Sequence, residues 1–216
     1  MNISLVALAR GGVLLFLLLW AFTSFAQSDT APVHWTPPAS KPSTERAPAD
    51  TPLSPAVWGA HGALTLVPLG GMYAASRLHD EQLWVTSAEA GAGMVAAWLP
   101  ARLLFFRAKD GGPRWSEWSV ITFGTGLMLT PALAGLGTWA LGELAFHGSL
   151  DGGDALLGAM GGAAVGTLLG VAIHGMLELV APGTRLKPWR QAIAVGFVGA
   201  GATVGYQLAG GGPRPQ

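Results

Sequence analysis

Long apolar stretches separated by short polar breaks dominate the chain beyond its first quarter. Small residues recur at every fourth position within these stretches, and apolar and polar residues do not alternate, so the pattern favours helices over strands. Gly, Pro and clustered charges fill the breaks, as is typical of helix ends. The predicted helical stretches are 57–75, 88–106, 120–146, 155–180 and 192–208. The sequence therefore predicts an all-α fold.

The fourth stretch carries glycines at strict four-residue spacing, namely Gly158, Gly162, Gly166 and Gly170. Each glycine costs an isolated helix roughly 0.8 to 1 kcal/mol relative to alanine. Four of them on one stripe compensate by leaving a groove into which a second helix can settle, as in membrane helix packing. The last stretch repeats the spacing at Gly201 and Gly205, which makes it the expected partner, with Phe197 closing the groove at one side.

Through these six glycines the chain resembles the glycine-zipper proteins of bacterial envelopes. The resemblance implies helix packing as the role of the glycines, and it carries over no catalytic residue. Many proteins of that kind are lipoproteins with an acylated cysteine. This chain contains no cysteine, so that form of anchoring is not expected here.

Composition points to a membrane as the surroundings of these helices. The 216 residues carry no formal net charge, 50% are hydrophobic and only 11% are charged, whereas soluble domains contain roughly a quarter charged residues. The absence of cysteine excludes disulfides and thiolate chemistry, and the neutral charge argues against a nucleic-acid partner. No phosphate loop, zinc motif or dinucleotide fingerprint suggests a cofactor.

The first quarter of the chain predicts export. Arg10, a short apolar core at 13–22 and small residues up to Ala26 are typical of a cleaved signal peptide at 1–26, with an uncleaved anchor helix as the alternative. Residues 27–55 are rich in Pro, Ser and Thr and predict a disordered linker. The glycine-rich helical membrane domain is then expected at 56–212. We expect a bacterial cell envelope protein, in the inner membrane or, alternatively, the outer membrane.

Basic residues predict the orientation of the helices, because Lys and Arg collect in cytoplasmic loops. They cluster in the breaks at 107–117 and 182–190, while the break at 147–154 is acidic. This distribution predicts four spanning helices after an interfacial or re-entrant first stretch. The acidic turn would then face the exported side.

Two Glu–His pairs within the apolar stretches are candidates for an ion path or proton relay. Glu143 and His147, like His174 and Glu178, lie one helical turn apart and share a helix face. The two pairs should lie roughly 30 Å from each other along a helical hairpin, so each acts alone. A helix-packing contact is the alternative role for each pair, and Glu89 is interpreted as a favourable charge at a helix amino end.

These patterns lead to a non-enzymatic membrane protein with a structural or assembly role in the envelope. Its expected partners are membrane lipid and either a second copy or another membrane protein. The alternative is a small channel or transporter whose oligomeric path is lined by Glu143, His147, His174 and Glu178. A membrane enzyme that uses one of the Glu–His pairs is the third hypothesis.

Overall fold

Five α-helices make up the part of the chain that the computed structural model describes, which is residues 53–78, 80–105, 117–146, 148–181 and 186–211. The helices are α1 Pro55–Leu78, α2 Leu83–Leu104, α3 Glu117–Ala145, α4 Gly152–Val180 and α5 Lys187–Leu208. No strand occurs in these ranges, so the predicted all-α fold is confirmed. The predicted signal peptide and residues 27–52 of the predicted linker lie outside the described residues.

The helices begin where local chemistry favours a start. The Asp151 side chain accepts hydrogen bonds from the backbone amides of Gly153 and Asp154, at 2.9 and 3.2 Å, and so caps the amino end of α4. Proline occupies the first turn of α5, where its missing amide is not needed. α1 begins at Pro55, which is inside the predicted linker.

Three helices continue through an internal proline. Pro68 lies inside α1, Pro100 inside α2 and Pro131 inside α3. A helix can tolerate such a residue when neighbouring helices support the backbone around it. Because α1 is a continuous helix of 24 residues, the chain does not reverse within it, and the re-entrant form of the first stretch is not supported.

α5 is the central helix of the bundle. It contacts each of the other four helices, and more than half of its residues are buried. Small side chains from α2, α3, α4 and α5 form a core cluster, which consists of Ala97, Ala134, Ala163, Val198 and Ala202. Since these side chains are short, the helix backbones lie close together.

The order of contacts shows how the other helices run beside α5. Along α4 the contacts progress from Gly158 opposite Gly205 to Gly170 opposite Ala194, so α4 and α5 are antiparallel. Along α1 they progress from Trp58, beside Trp189, to Gly71, beside Ala200, so α1 and α5 are parallel. In α3, Gly126 lies against Leu104 of α2 and Gly137 lies against Ala92, so α2 and α3 are antiparallel as well.

Two helices of the described chain are long and apolar enough to cross a membrane. They are Val120–Ala145 in α3 and Gly152–Val180 in α4. The predicted number of four spanning helices is therefore not supported. Charged residues interrupt the apolar sequence of α2 and α5, for example Arg102 in α2 and Lys187 in α5.

Candidate functional site

The glycines of α4 lie directly against the backbone of α5. Gly158 faces Gly205, and Gly162 lies between Gly201 and Gly205. Further along, Gly166 meets the backbone of Phe197 and Val198, and Gly170 meets that of Ala194. We call this contact, formed by Gly158, Gly162, Gly166 and Gly170 with residues 194–205 of α5, the glycine interface.

No side chain fits inside the glycine interface. A Cβ atom on Gly162 would overlap the carbonyl oxygen of Gly201 and lie 2.9 Å from the Cα atom of Gly205. The contact is reciprocal, because a Cβ atom on Gly201 would overlap the carbonyl oxygen of Gly162. By contrast, a Cβ atom on the neighbouring Gly161 would meet no atom within 4 Å. The close approach is therefore specific to one stripe of α4.

The glycine interface extends further along α5 than the sequence suggested. Phe197 was expected to close the groove, but its backbone carbonyl faces Gly166 instead. The contact continues by one more turn, where a Cβ atom on Gly170 would lie 2.5 Å from the carbonyl oxygen of Ala194. Since backbone atoms form this contact, a large side chain on α5 does not end it.

Polar side chains gather at the carboxyl end of α5. Tyr206 is buried and its ring packs on the backbone of Gly142 in α3. Its hydroxyl group donates a hydrogen bond to Glu143 Oε1 at 3.3 Å, and the hydroxyl of Ser149 donates to the same oxygen. These bonds connect α5 to the end of α3 and to the turn before α4.

Gln207, the next residue of α5, connects two further carboxyl groups. Its Nε2 atom donates to Glu81 Oε2, in the connection between α1 and α2, and to Glu89 Oε2 of α2 at 3.3 Å. Glu89 is 1% exposed and Gln207 is 0% exposed. We call the group Glu81, Glu89, Glu143, Ser149, Tyr206 and Gln207 the polar cluster. It lies where the connection between α1 and α2 meets α2, α3 and α5.

The structure places the predicted Glu–His residues at different ends of the bundle. Glu143 belongs to the polar cluster beside the carboxyl end of α5, and its predicted partner His147 lies outside the described residues. His174 is buried near the carboxyl end of α4, with its ring 4.3 Å from the ring of Phe105 at the end of α2. Glu178 lies half-buried one turn later.

Arg190 joins α4 and α5 near the carboxyl end of α4. The sequence predicts a polar break at Arg190, but this residue lies in the first turn of α5, where it is buried. Its Nη1 atom donates a hydrogen bond to the carbonyl oxygen of Ala181 at 2.6 Å. The carbonyl groups at the carboxyl end of a helix lack partners within the helix, and a cation satisfies one of them here.

The sequence alone does not predict that the residues of the polar cluster lie together. Glu89 was expected near the amino end of its helix, but α2 begins at Leu83, so the side chain lies almost two turns inside. Gln207 gives only one signal in the sequence, which is that it is a polar residue inside an apolar stretch. Among the described residues, no group of three His, Asp or Glu side chains is arranged to hold a metal ion.

No protein-family model, curated protein or solved structure matches this chain.

Proposed function

We propose that this chain is a non-enzymatic integral membrane protein that serves as a structural or assembly component of the bacterial cell envelope. The observation that carries the proposal is the apolar outer surface of α3 and α4. Leu144 on α3 is 87% exposed, and Leu179 on α4 is 86% exposed. A soluble monomer rarely exposes large contiguous apolar surface, so lipid is the proposed partner of these side chains.

The burial of α3 and α4 supports a membrane over a soluble core. A core helix of a soluble protein can be equally long and apolar, but it is mostly buried. In the most apolar windows of α3 and α4, only 22% and 28% of the residues are buried. Most residues of these apolar windows are therefore not buried within the chain, which favours lipid around them.

The glycine interface supports a structural role for the membrane domain. It brings α4 and α5 into backbone contact within one chain. In lipid, close packing of this kind takes over from the hydrophobic effect as a force that holds helices together. α5 is therefore proposed to remain bound to α4 in the membrane even though it is the less apolar helix.

Membrane extraction tests the proposal on the full chain. After expression, the protein should stay in the membrane pellet through washes with high salt and alkaline carbonate, and detergent should release it. A peripheral protein would leave with the washes. Recovery of the folded chain in the soluble fraction without detergent would contradict the proposal.

Cysteine labelling tests whether α4 crosses the membrane. The chain has no native cysteine, so a single introduced thiol gives no background. Asp151 lies at one end of α4 and Lys187 follows its other end, so Asp151→Cys and Lys187→Cys should react with an impermeant thiol reagent from opposite sides. The charge distribution predicts that the Asp151→Cys site is exported and the Lys187→Cys site is cytoplasmic.

The same labelling can contradict the proposal. Reaction of both cysteines from one side would mean that α4 does not cross the membrane. The channel alternative has no equivalent support, because the contacts of Glu143 and His174 lie at different ends of the bundle within the described residues.

A further inference from the structure

Within the polar cluster, Gln207 holds two carboxyl groups with one nitrogen atom. Its Nε2 donates both to Glu81 Oε2 and to Glu89 Oε2, the latter at 3.3 Å. A single amide group thus brings the two carboxyl groups close to each other. Glu89 and Gln207 are both buried, so water screens little of the repulsion between the carboxylates.

Two oxygen atoms of this arrangement have no hydrogen-bond donor. Glu89 Oε1 and Gln207 Oε1 are buried and have no hydrogen-bond partner among the described residues. An unsatisfied buried polar atom is costly, and two such acceptors on residues that already contact each other call for a donor. The missing donor is the observation that points to a ligand.

The charged groups around Glu89 indicate that the missing donor is a proton bound to its carboxyl group. Glu81 faces it from the connection between α1 and α2, Tyr206 faces it from α5, and Glu143 lies behind Tyr206 on α3. Within the described part of the chain, Glu89 forms no ion pair with a lysine, arginine or histidine. A buried carboxylate beside a second carboxylate avoids the unfavourable second charge by binding a proton, and Glu89 is the more buried of the two.

We propose that Glu89 binds a proton at neutral pH and that Glu89 and Gln207 form a reciprocal acid–amide pair. The proton comes from water and resides on Glu89 Oε1, from which it is donated to Gln207 Oε1. Gln207 Nε2 donates in return to Glu89 Oε2, so every polar atom of both side chains has a partner. Glu81 stays ionised and accepts the second N–H of the same amide.

This proton-binding site links α2 to the central helix of the bundle. Removal of the proton leaves two carboxylates around one amide and returns both Oε1 atoms to the unsatisfied state. High pH should therefore weaken the contact between α2 and the end of α5. The proposal goes beyond the structural role proposed above and does not depend on it.

Infrared spectroscopy of the purified full chain in deuterated buffer tests the site. At neutral pH the wild-type protein should show the carbonyl band of a protonated carboxylic acid. Glu89→Gln should lose this band, and Glu89→Asp should move it if the shorter acid still binds the proton. Asp154→Asn is the matched control, because Asp154 is exposed and its loss should leave the band unchanged. A wild-type spectrum without the band at neutral pH would overturn the proposal whether or not the variants fold.

Thermal unfolding as a function of pH gives the second measurement. Burial and the neighbouring Glu81 raise the pKa of Glu89 in the folded chain. Between the ordinary pKa of a glutamate and this raised pKa the folded chain retains a proton that the unfolded chain releases, so stability should fall as the pH rises through that range and level off above it. One extra bound proton changes the folding equilibrium about tenfold per pH unit. Glu89→Gln should remove this dependence, since its amide neither gains nor loses a proton, and Asp154→Asn should retain it. If Na⁺ or K⁺ stabilised the wild type but not Glu89→Gln, and the acid band were absent, the site would bind a metal cation and the proposal would be wrong.

Discussion

The central helix α5 meets its neighbours in two physically different ways. Along its middle, at the glycine interface, backbone touches backbone and no side chain lies between the helices. At its carboxyl end, in the polar cluster, Tyr206 and Gln207 reach out to carboxyl groups of three other segments. α5 thus contacts its neighbours through bare backbone at its middle and through long polar side chains at its carboxyl end.

The difference concerns what each contact tolerates. The glycine interface depends on shape, so any added atom separates the helices, whereas a change in pH should leave it unaffected. The polar cluster depends on hydrogen bonds and charge, so substitutions that conserve shape can still weaken it. Variants that alter only volume or only hydrogen bonding should therefore separate the two contacts.

The largest expected effect belongs to Gly162→Leu in the glycine interface. The first added carbon already overlaps the backbone of Gly201, and α5 cannot shift because three other helices pack against it. We expect a loss of about 3 kcal/mol in the free energy of unfolding, at the upper end of typical overpacking costs. Thermal unfolding in detergent measures it.

Gly161→Leu is the matched control for this variant. It adds the same side chain one position away, on a face where a Cβ atom meets nothing within 4 Å. Its stability should stay close to that of the wild type. Because the glycine interface joins two helices of one chain, the oligomeric state of Gly162→Leu should also be unchanged. Equal stability of the two variants would contradict the close packing.

A smaller effect is expected for Tyr206→Phe in the polar cluster. The substitution keeps the ring on Gly142 and removes only the hydroxyl that donates to Glu143 at 3.3 Å. A hydrogen bond to a charged group contributes about 1.5 kcal/mol, and we expect a loss of this size in the free energy of unfolding.

The second tyrosine of the chain supplies the control. Tyr73 is 50% exposed and its hydroxyl accepts hydrogen bonds from Arg77 at the surface. Tyr73→Phe should change the stability little, because water replaces the lost partner. A Tyr206→Phe variant as stable as Tyr73→Phe would show that the hydroxyl of Tyr206 contributes nothing.

The smallest effect is expected for single buried hydroxyl groups of α3. The hydroxyl of Thr138 in α3 donates to the backbone carbonyl oxygen of Glu89 in α2 at 3.1 Å. Thr138→Val should cost about 0.6 kcal/mol, the average of hydrogen bonds between membrane helices. Thermal unfolding of this variant needs a control of identical chemistry.

Thr130, which lies on the same helix as Thr138, provides this control. Thr130 is as buried as Thr138, but its hydroxyl has no hydrogen-bond partner among the described residues. Thr130→Val should therefore be neutral or stabilising, since an unsatisfied polar group is removed. If Thr130→Val were the more damaging of the two, the assignment of these hydroxyl groups would be wrong.

The two regions also differ in how far the sequence could predict them. The glycine spacing is a local period along one helix, and that period is enough to single out α4 and to indicate α5 as its partner. The polar cluster joins Glu89 to a residue 118 positions away, and no local pattern encodes such a pair. The helices themselves were predictable from apolar periodicity, although their ends were misplaced by several residues, as at Glu89.

The number of membrane spans was less accessible to the sequence. Charge in the breaks suggested four, but Arg190 belongs to a buried turn of α5 and not to a loop. A buried arginine that binds a helix carbonyl looks the same in a sequence as one that faces the cytoplasm. Only the hydrogen bond to Ala181 distinguishes them.

The position of α5 at the centre also affects how the protein is made. It is the last of the five described helices to be synthesised. Because Gln207 follows Glu89 by 118 residues, α2 cannot contact the end of α5 until those residues have been made. At about 5 to 20 residues per second, this interval lasts on the order of ten seconds. During that time the carboxyl group of Glu89 has no partner from α5, and the glycine stripe of α4 has none from its own synthesis until that of α5. A nascent chain that stalls before α5 would therefore present both to the quality-control machinery of the cell.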